Sequence, residues 1–256
     1  MTPQRPDVVG LGYCAYDILA IVPEVPRFDD VKMAHLADLA CDGGGQVGTA
    51  LAAVAKLGMR AGYVGLLGDD AEGRWLREEF VRGGIDVARL RLSADVGTNI
   101  CLLLVDQATA RRAILCHQRV QPSALTLDEA DRDYVQAARV LHLDGQFMPA
   151  AIQAARWARE ARVTVCFDGN HPRAGLGELL PLVDWLIVAE TFPTTYTGNP
   201  DPSRAAEELL DLGVDVLIVT QGSRGCSVHT GRKHFHVPAL AIEAVDTTGA
   251  GDAFHG

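Results

Sequence analysis

Long apolar runs and clusters of basic residues are both absent from this sequence. No stretch approaches the roughly 18 apolar residues that a membrane-spanning helix requires, and residues 1–7 are polar, unlike the apolar core of a signal peptide. The 33 Asp and Glu residues outnumber the 23 Lys and Arg residues, which gives a formal net charge of −10. An acidic chain of this kind is poorly suited to nucleic acid or to an anionic membrane. We therefore expect a cytoplasmic protein with neither kind of partner.

The sequence also lacks the cysteine and histidine spacings of a disulfide framework or a zinc site. Its six cysteines are scattered without a CxxC pair, and its eight histidines show no metal-ligand spacing. Four of the cysteines lie in apolar runs that are typical of strands: Cys14, Cys101, Cys116 and Cys166. We interpret the cysteines as buried, reduced thiols.

What the sequence does contain is an ordinary globular composition with alternating strands and helices. Its 256 residues, 48% hydrophobic and 22% charged, suffice for one large domain with a sizeable core. The pattern predicts strands over 8–13, 61–67, 140–143, 163–168, 185–189 and 216–220, and helices over 46–57, 71–82, 128–138, 149–162 and 203–212. This alternation implies βαβ crossovers and a mostly parallel sheet that is covered by helices on both faces.

Two regions depart from this rhythm. Pro23 and Pro26 precede an edge-strand pattern over 31–39, and two strand-like runs over 98–117 are separated by a turn, as in a hairpin. We expect them to form a small β lid that projects from the sheet.

Glycines and aspartates cluster where the predicted strands end. Asp17 follows the first strand, Asp168 ends another, and Gly222 follows Thr220. Ligands of parallel α/β sheets bind beyond the carboxyl ends of the strands. We therefore expect the binding site at this edge.

The most informative segment is Asp246-Thr247-Thr248-Gly249-Ala250-Gly251-Asp252. If a helix begins at Ala250, its first N–H groups and its dipole form an anion site. Asp252 beside that site could accept a proton from an attacking hydroxyl. An amide cradle and a base are what phosphoryl transfer to an alcohol requires. A glycine-rich turn with a capping aspartate is the alternative interpretation.

Three other glycine patterns are less specific. Gly10-Leu11-Gly12 resembles a dinucleotide fingerprint, but an extended, proline-stopped segment follows instead of a helix, which disfavours a dehydrogenase. The turn at Gly43-Gly44-Gly45 lacks the Gly-Lys-Ser/Thr ending of a phosphate loop, so it could hold a sugar hydroxyl or only allow close packing. The turn from Thr220 to Gly225 could accommodate a nucleotide or simply reverse the chain.

Taken together, these segments resemble the ribokinase family of sugar kinases, also called the PfkB family. One family signature is similar to Gly43-Gly44 through Gly73, with Gly65-Leu66-Leu67-Gly68-Asp69-Asp70 in its centre, and a second is similar to residues 246–254. The motifs occur in family order over essentially the whole chain. The resemblance is strongest to the branch of ketohexokinase and sulfofructose kinase.

The resemblance implies a ribokinase-like α/β domain over residues 1–256, with lid segments at 31–39 and 98–117. The implied activity is ATP-dependent phosphorylation of a hydroxyl of a small sugar, a ketohexose or a derivative, with Mg²⁺ and, in some members, K⁺. It also implies a possible homodimer through the lid. The site residues implied are Asp252 as catalytic base, Gly249, Ala250 and Gly251 as anion hole, Asp17, Gly43 and Gly44 for the sugar, Thr220, Gly222 and Gly225 for the nucleotide, and Glu190 and Asp246 for metal ions.

The chain departs from the family pattern at three places. Gly48 stands where the family often has Asn, and Ala189 and Phe192 stand where it often has an Asn-x-x-Glu pair, which leaves Glu190 as the nearby carboxylate. Family members also continue past the second signature, whereas four residues follow Asp252 here, so we expect a fragment of a longer protein. A non-catalytic sugar- or nucleotide-binding protein of the same fold is the alternative function.

Overall fold

The computed structural model describes residues 5–25, 33, 35–109, 111–243 and 247–256. Within these residues it contains thirteen strands and eight α-helices. The strands are β1 Val8–Leu11, β2 Ala15–Val22, β3 Asp38–Gly44, β4 Ala61–Gly68, β5 Asp86–Ser93, β6 Ile100–Asp106, β7 Arg112–His117, β8 Val140–Leu143, β9 Thr164–Gly169, β10 Trp185–Ala189, β11 Val216–Thr220, β12 Cys226–Thr230 and β13 His234–Val237. The helices are α1 Gln46–Lys56, α2 Ala71–Arg82, α3 Glu129–Gln136, α4 Met148–Glu160, α5 Leu176–Leu179, α6 Phe192–Thr197, α7 Pro202–Leu210 and α8 Ala250–Phe254.

Nine strands form the main sheet, in the order β13-β12-β11-β10-β9-β8-β1-β4-β5. All neighbouring pairs from β11 to β5 are parallel, and only β12 and β13 join antiparallel at one edge. Central strands are buried on both faces, and every residue of β4 is buried. The predicted α/β fold with a mostly parallel sheet is confirmed.

Helices pack against this sheet through small or periodically spaced apolar side chains. Helix α1 buries Val47, Leu51 and Val54, which lie on one helical face. Helix α4 instead presents a face of almost fully buried alanines, which lets the helix approach the sheet closely: Ala150, Ala151, Ala154, Ala155 and Ala158. Among the described residues, no helix is long and apolar enough to cross a membrane.

A second sheet of four strands, in the order β3-β2-β6-β7, forms the lid. The hairpin predicted over 98–117 is present as the antiparallel pair of β6 and β7. The edge strand predicted over 31–39 is misplaced. Residues 31, 32 and 34 lie outside the described residues, 35–37 are not in a strand, and β3 runs from Asp38 to Gly44.

The misplacement has a physical reason. Strand β3 is exposed at all positions but Gly44. Because neither of its faces is buried, its sequence has no alternation of apolar and polar residues from which a strand could be predicted. Its position is set by antiparallel pairing with β2, which in turn pairs parallel with β6. Strand β2 occupies the segment that the sequence identified only as extended, and β5 was not predicted.

The lid also corrects the interpretation of the cysteines. Cys101 and Cys116 lie directly opposite each other in the register of β6 and β7, and they form a disulfide. The remaining cysteines, Cys14, Cys41, Cys166 and Cys226, are free thiols, and three of them are buried. The sequence could not show the pairing because it depends on the register of the hairpin.

The first family signature ties the lid to the main sheet. The Asp70 carboxylate caps α2 by accepting a hydrogen bond from the N–H of Gly73 (2.9 Å), and it also accepts one from the N–H of Thr98 (2.9 Å). The Thr98 hydroxyl donates to the same carboxylate at 2.6 Å. Because Thr98 lies just before β6, this aspartate joins the start of a helix to the entry of the lid.

Candidate active site

The carboxyl end of β1 lies against a buried aspartate. Asp144, which follows β8, accepts hydrogen bonds from the N–H groups of Tyr13 (2.7 Å) and Gln146 (2.9 Å). A Cβ atom on Gly12 would collide with this carboxylate, and one on Gly10 would collide with side chains of α1. The Gly10-x-Gly12 pattern therefore serves close packing, and strand β2 follows it where a dinucleotide fold would have a helix.

Asp17 and the glycine pair of β3 lie together at the base of the lid. Strand pairing sets Asp17 opposite Asp42, and a Cβ atom on Gly44 would collide with the Asp17 carboxylate. The Oδ1 atom of Asp17 is buried and has no hydrogen-bond partner within the described part of the chain. Burial raises the pKa of Asp17 to about 6, and the charges of Asp42 and Asp252 act in the same direction.

Asp252 reaches this place through the packing of α8 against α1. Gly249 adopts the left-handed conformation (φ 68°) at the start of α8, and no side chain caps the helix. A Cβ atom on Gly249 would lie 3.4 Å from Cγ2 of Thr49, on α1. Because the Gly43–Gly45 turn leads directly into α1, this packing brings Asp252 towards Asp17. In the first turn of α8, the N–H group of Ala250 donates to the carbonyl oxygen of Thr247 at 3.2 Å, whereas those of Gly251 and Asp252 have no partner within the helix and remain available to an anion.

Four carboxyl groups thus lie at one edge of the sheet. Burial raises the pKa of Asp252 to about 6, with a contribution from the charge of Asp168. Burial likewise raises the pKa of Asp144 to about 7, and Asp168 contributes again while Arg173 opposes the shift. Sequence analysis placed Asp168 at this edge but missed Asp144, although Asp144 follows the predicted strand over 140–143 and the same rule would have found it.

The lid contacts the segment that precedes α8. The guanidinium of Arg112, on β7, donates hydrogen bonds to the hydroxyl of Thr247 (3.2 Å) and to that of Thr248 (3.5 Å). These residues are 135 and 136 positions apart from Arg112 in the sequence. The contact joins the outer strand of the lid to the segment before α8, which contains the predicted anion site, and no sequence pattern indicated it.

The residues predicted for the nucleotide form a second group at the ends of β10 and β11. The Thr220 hydroxyl donates to the carbonyl oxygen of Val188 at 3.1 Å. Gly222 and Gly225 both have positive φ, and Gly225 lies against the backbone of Val237. Strand β11 is four strand spacings from β1, or about 19 Å. The site therefore has two separate ends.

Glu190 and its neighbours are arranged differently from the family pattern. The Glu190 carboxylate is bonded at both oxygens by the Arg224 guanidinium, at 2.5 Å for Oε2, and Gln221 Nε2 lies 3.4 Å from Oε1. Phe192 is fully buried and stacks on Tyr196, so it cannot offer a ligand. Asp246, the other predicted metal ligand, lies outside the described residues.

These observations show how well the residues present could hold the phosphate group and the magnesium ion that the family resemblance implies. The uncapped start of α8 fits a phosphate group. The Glu190 carboxylate forms an exposed ion pair with Arg224, so a magnesium ion bound there would have to compete with the guanidinium.

A parallel α/β sheet with a β lid, a buried carboxyl group and an uncapped helix start defines a phosphotransferase-type site. Residues 5–256 match the sequence profile of the pfkB family of carbohydrate kinases. The chain therefore belongs to this family, and it is a phosphotransferase with an alcohol acceptor.

Individual relatives agree with this assignment. The chain is 31% identical to the ATP-dependent ribose-1-phosphate kinase of Halopiger xanaduensis, over 96% of this chain and 81% of that protein. It is 31% identical to the aminoimidazole riboside kinase of Salmonella typhimurium, over 85% of this chain and 72% of that protein. The ribokinase of Arabidopsis thaliana, solved with ribose and ATP, superposes with a TM-score of 0.87 at 25% identity, over 98% of this chain and 84% of that one.

Proposed function

We propose that this protein transfers the γ-phosphoryl group of ATP to a hydroxyl of a small sugar, with Asp252 as the general base. The observation that carries the proposal is that Asp252, at the uncapped start of α8, lies near enough for its charge to raise the pKa of Asp17, whose carboxylate lies against Gly44 at the base of the lid. A base, a polar pocket and an anion site are the parts that this reaction needs.

Each residue has a distinct role in this proposal. Asp17 accepts hydrogen bonds from sugar hydroxyls, Gly44 leaves room for the Asp17 carboxylate to lie against β3, and the backbone of Gly43 and Gly44 borders the sugar. Asp252 takes the proton from the attacking hydroxyl, which frees an oxygen lone pair for bond formation. The N–H groups of Gly249, Ala250 and Gly251 stabilise the negative charge that develops on the transferred group.

ATP supplies the phosphoryl group when it is bound. Its base and ribose would lie at the turn of Thr220, Gly222 and Gly225, and its phosphates would reach the start of α8. Any Mg²⁺ would be held chiefly by phosphate oxygens, since the Glu190 carboxylate forms an ion pair with Arg224. K⁺ binding near Asp246 is a proposal that rests on the family resemblance alone.

The lid has a role in excluding water. The contact of Arg112 with Thr247 and Thr248 lets the lid close over the acceptor at the point where phosphate arrives. Closure of this kind keeps ATP from being hydrolysed by water.

For the acceptor, we propose a ketohexose or a sugar derivative of similar size. Support comes from relatives named as fructokinases, such as that of Solanum tuberosum, 26% identical over 92% of this chain and 76% of that protein. Relatives named for ribose 1-phosphate and for a riboside define the competing acceptors. Coupled ADP-release assays with fructose, ribose, ribose 1-phosphate and a purine riboside would separate these possibilities; the proposal requires the highest kcat/KM with fructose or another ketohexose.

The central test is the variant Asp252→Asn. We expect kcat to fall by about 100- to 10,000-fold, the usual contribution of a general base, while sugar affinity measured by calorimetry stays within a few-fold. Asp211→Asn, on an exposed helix end, is the matched control and should behave as wild type. Near-normal turnover of Asp252→Asn would refute the proposed base.

The homodimer that the resemblance implies also remains a proposal. Apolar side chains on the outer strands of the lid are about half exposed, namely Leu39, Ile114 and Leu115. Sedimentation velocity should find a dimer that Leu115→Glu dissociates. A monomer for the wild type at assay concentration would exclude it.

A further inference from the structure

Three side chains with metal-binding atoms converge beneath α8. His142 on β8 and Cys166 on β9 are direct partners in the register of the two strands, so they lie side by side. His255, immediately after α8, places its ring 5.4 Å from that of His142, measured between centroids. One ligand atom from each of the three residues lies within 4.8 Å of the other two. The sequence conceals the group because its members are far apart in the chain.

The cluster is buried, and its imidazole groups lack partners. His142 is 2% exposed and Cys166 is 5% exposed. Both ring nitrogens of His142, together with Nδ1 of His255, have no hydrogen-bond partner within the described part of the chain. Burying such groups without a partner costs free energy, so each one calls for an explanation. A metal ion at the centre of the cluster would supply a partner for one nitrogen of His142 and for Nδ1 of His255.

Neutral imidazole and thiolate are the forms that bind metals, so an ion that binds here displaces the thiol proton of Cys166.

Asp168 is placed to orient one of the ligands. Its Oδ2 atom lies 3.5 Å from Nε2 of His255. Histidines that bind metals commonly donate their other ring N–H to a carboxylate, which fixes the ring. At 3.5 Å the two atoms do not form a hydrogen bond, since Oδ2 of Asp168 has no partner within the described residues, so the ring would have to approach Asp168 when an ion binds at Nδ1.

We propose that His142, Cys166 and His255 bind a transition-metal ion, with Zn²⁺ the best fit, and that Asp168 positions His255. Two imidazoles and one thiolate suit Zn²⁺, whereas Mg²⁺ and Ca²⁺ prefer oxygen ligands. Zinc bonds of about 2.0–2.3 Å place tetrahedral ligand atoms roughly 3.3–3.8 Å apart, so the cluster must contract by about 1 Å. The ion would fasten α8, which carries Asp252, to two central strands of the sheet. The site itself does not depend on the proposed kinase reaction.

The test uses Co²⁺ as a spectroscopic probe on the full chain after treatment with a chelator. We expect one equivalent of Co²⁺ to bind, with a sulfur-to-cobalt charge-transfer band in the near ultraviolet and the visible bands of a tetrahedral site. One equivalent of Zn²⁺ should bleach both sets of bands. Zn²⁺ should also raise the Tm of the wild type, because it binds only the folded state.

Matched variants identify the ligands. Cys166→Ser should lose the charge-transfer band, bind Co²⁺ at least tenfold more weakly and show no Zn²⁺-dependent rise in Tm. Cys226→Ser removes another buried free thiol, and His234→Ala removes a histidine that stacks on His229 elsewhere; both should retain the full spectrum. His142→Gln keeps the side-chain size and should weaken binding while circular dichroism stays unchanged.

Two results would overturn the proposal. One is the absence of Co²⁺ binding by the folded wild type at micromolar concentration. The other is a charge-transfer band that survives in Cys166→Ser or disappears in Cys226→Ser.

Discussion

At the scale of the residue, the site depends on carboxyl groups that the fold partly removes from water. Asp252 and Asp17 each have a pKa of about 6, well above the ordinary value of 3.8, and burial is the main cause for both. A base of this kind is stronger than an exposed aspartate and is still deprotonated near pH 7.

The pKa of Asp252 predicts how activity changes with pH. A proton on Asp252 blocks its action as a base, so kcat/KM should be constant above pH 7 and fall as the pH drops through about 6, the pKa of the free protein. The profile is measured at sugar concentrations well below KM, using a buffer series of constant ionic strength. A midpoint near pH 4, as for an exposed aspartate, would contradict the assignment.

The raised pKa of Asp17 predicts that this carboxylate lowers the stability of the folded protein near neutral pH while it binds the sugar. A carboxyl group whose pKa is higher in the folded state favours folding at low pH, and this contribution is lost as the pH rises through about 6. Asp17→Asn should therefore have a higher Tm than the wild type at pH 7.5, a difference that shrinks towards pH 4. The same variant should raise the KM for the sugar. An unchanged KM would show that Asp17 does not hold the acceptor.

Gly44 tests the space beside Asp17. A methyl group there would collide with the Asp17 carboxylate, whereas one on Gly177 would meet nothing within 4 Å. We expect Gly44→Ala to lower kcat/KM by about 10- to 100-fold, because small displacements in an active site are costly. Gly177→Ala is the control and should retain wild-type activity. Equal effects of the two substitutions would refute a specific role for Gly44.

At the scale of the element, regular helices and buried strands were predictable, and the lid was only partly so. Helix α1 could be predicted from the helical spacing of Val47, Leu51 and Val54, and strand β4 from its apolar run. Both patterns are visible in the sequence because buried positions must be apolar. The exposed strand β3 has no such pattern, and only its partner β2 gives it a position.

The disulfide of the lid is an element-scale consequence of this pairing. Thiol titration of the denatured, unreduced protein should find four free thiols, and titration after reduction should find six. Mass spectrometry of a digest should recover the peptides of Cys101 and Cys116 joined together. Six thiols before reduction would show that the two cysteines are reduced.

At the scale of the whole molecule, one arginine joins the lid to the segment that precedes α8. Arg112→Ala should remove the hydrogen bonds to Thr247 and Thr248, which would raise the KM for the sugar and increase sugar-independent ATP hydrolysis. Arg111→Ala, on the preceding exposed residue, provides the matched control. If both variants hydrolysed ATP equally fast in the absence of sugar, the effect would come from the lost positive charge and not from the contact with Thr247 and Thr248.

The two ends of the site are also a property of the whole molecule. The Thr220–Gly225 turn follows β11, four strand spacings from β1, near whose end the Asp17 pocket lies, and only the strand order reveals this separation. The sequence placed both groups at strand ends but could not say how far apart those ends lie.

The sequence by itself determined the alternation of strands and helices, the motif around Asp252 and the resemblance to sugar kinases, because these depend on local periodicity and on residue types at short spacing. Only the tertiary structure decided that the charge of Asp252 acts on Asp17, that Cys101 pairs with Cys116, and that His142, Cys166 and His255 lie together. Those contacts join residues distant in the chain, and strand order and register, which local patterns do not encode, set their separations.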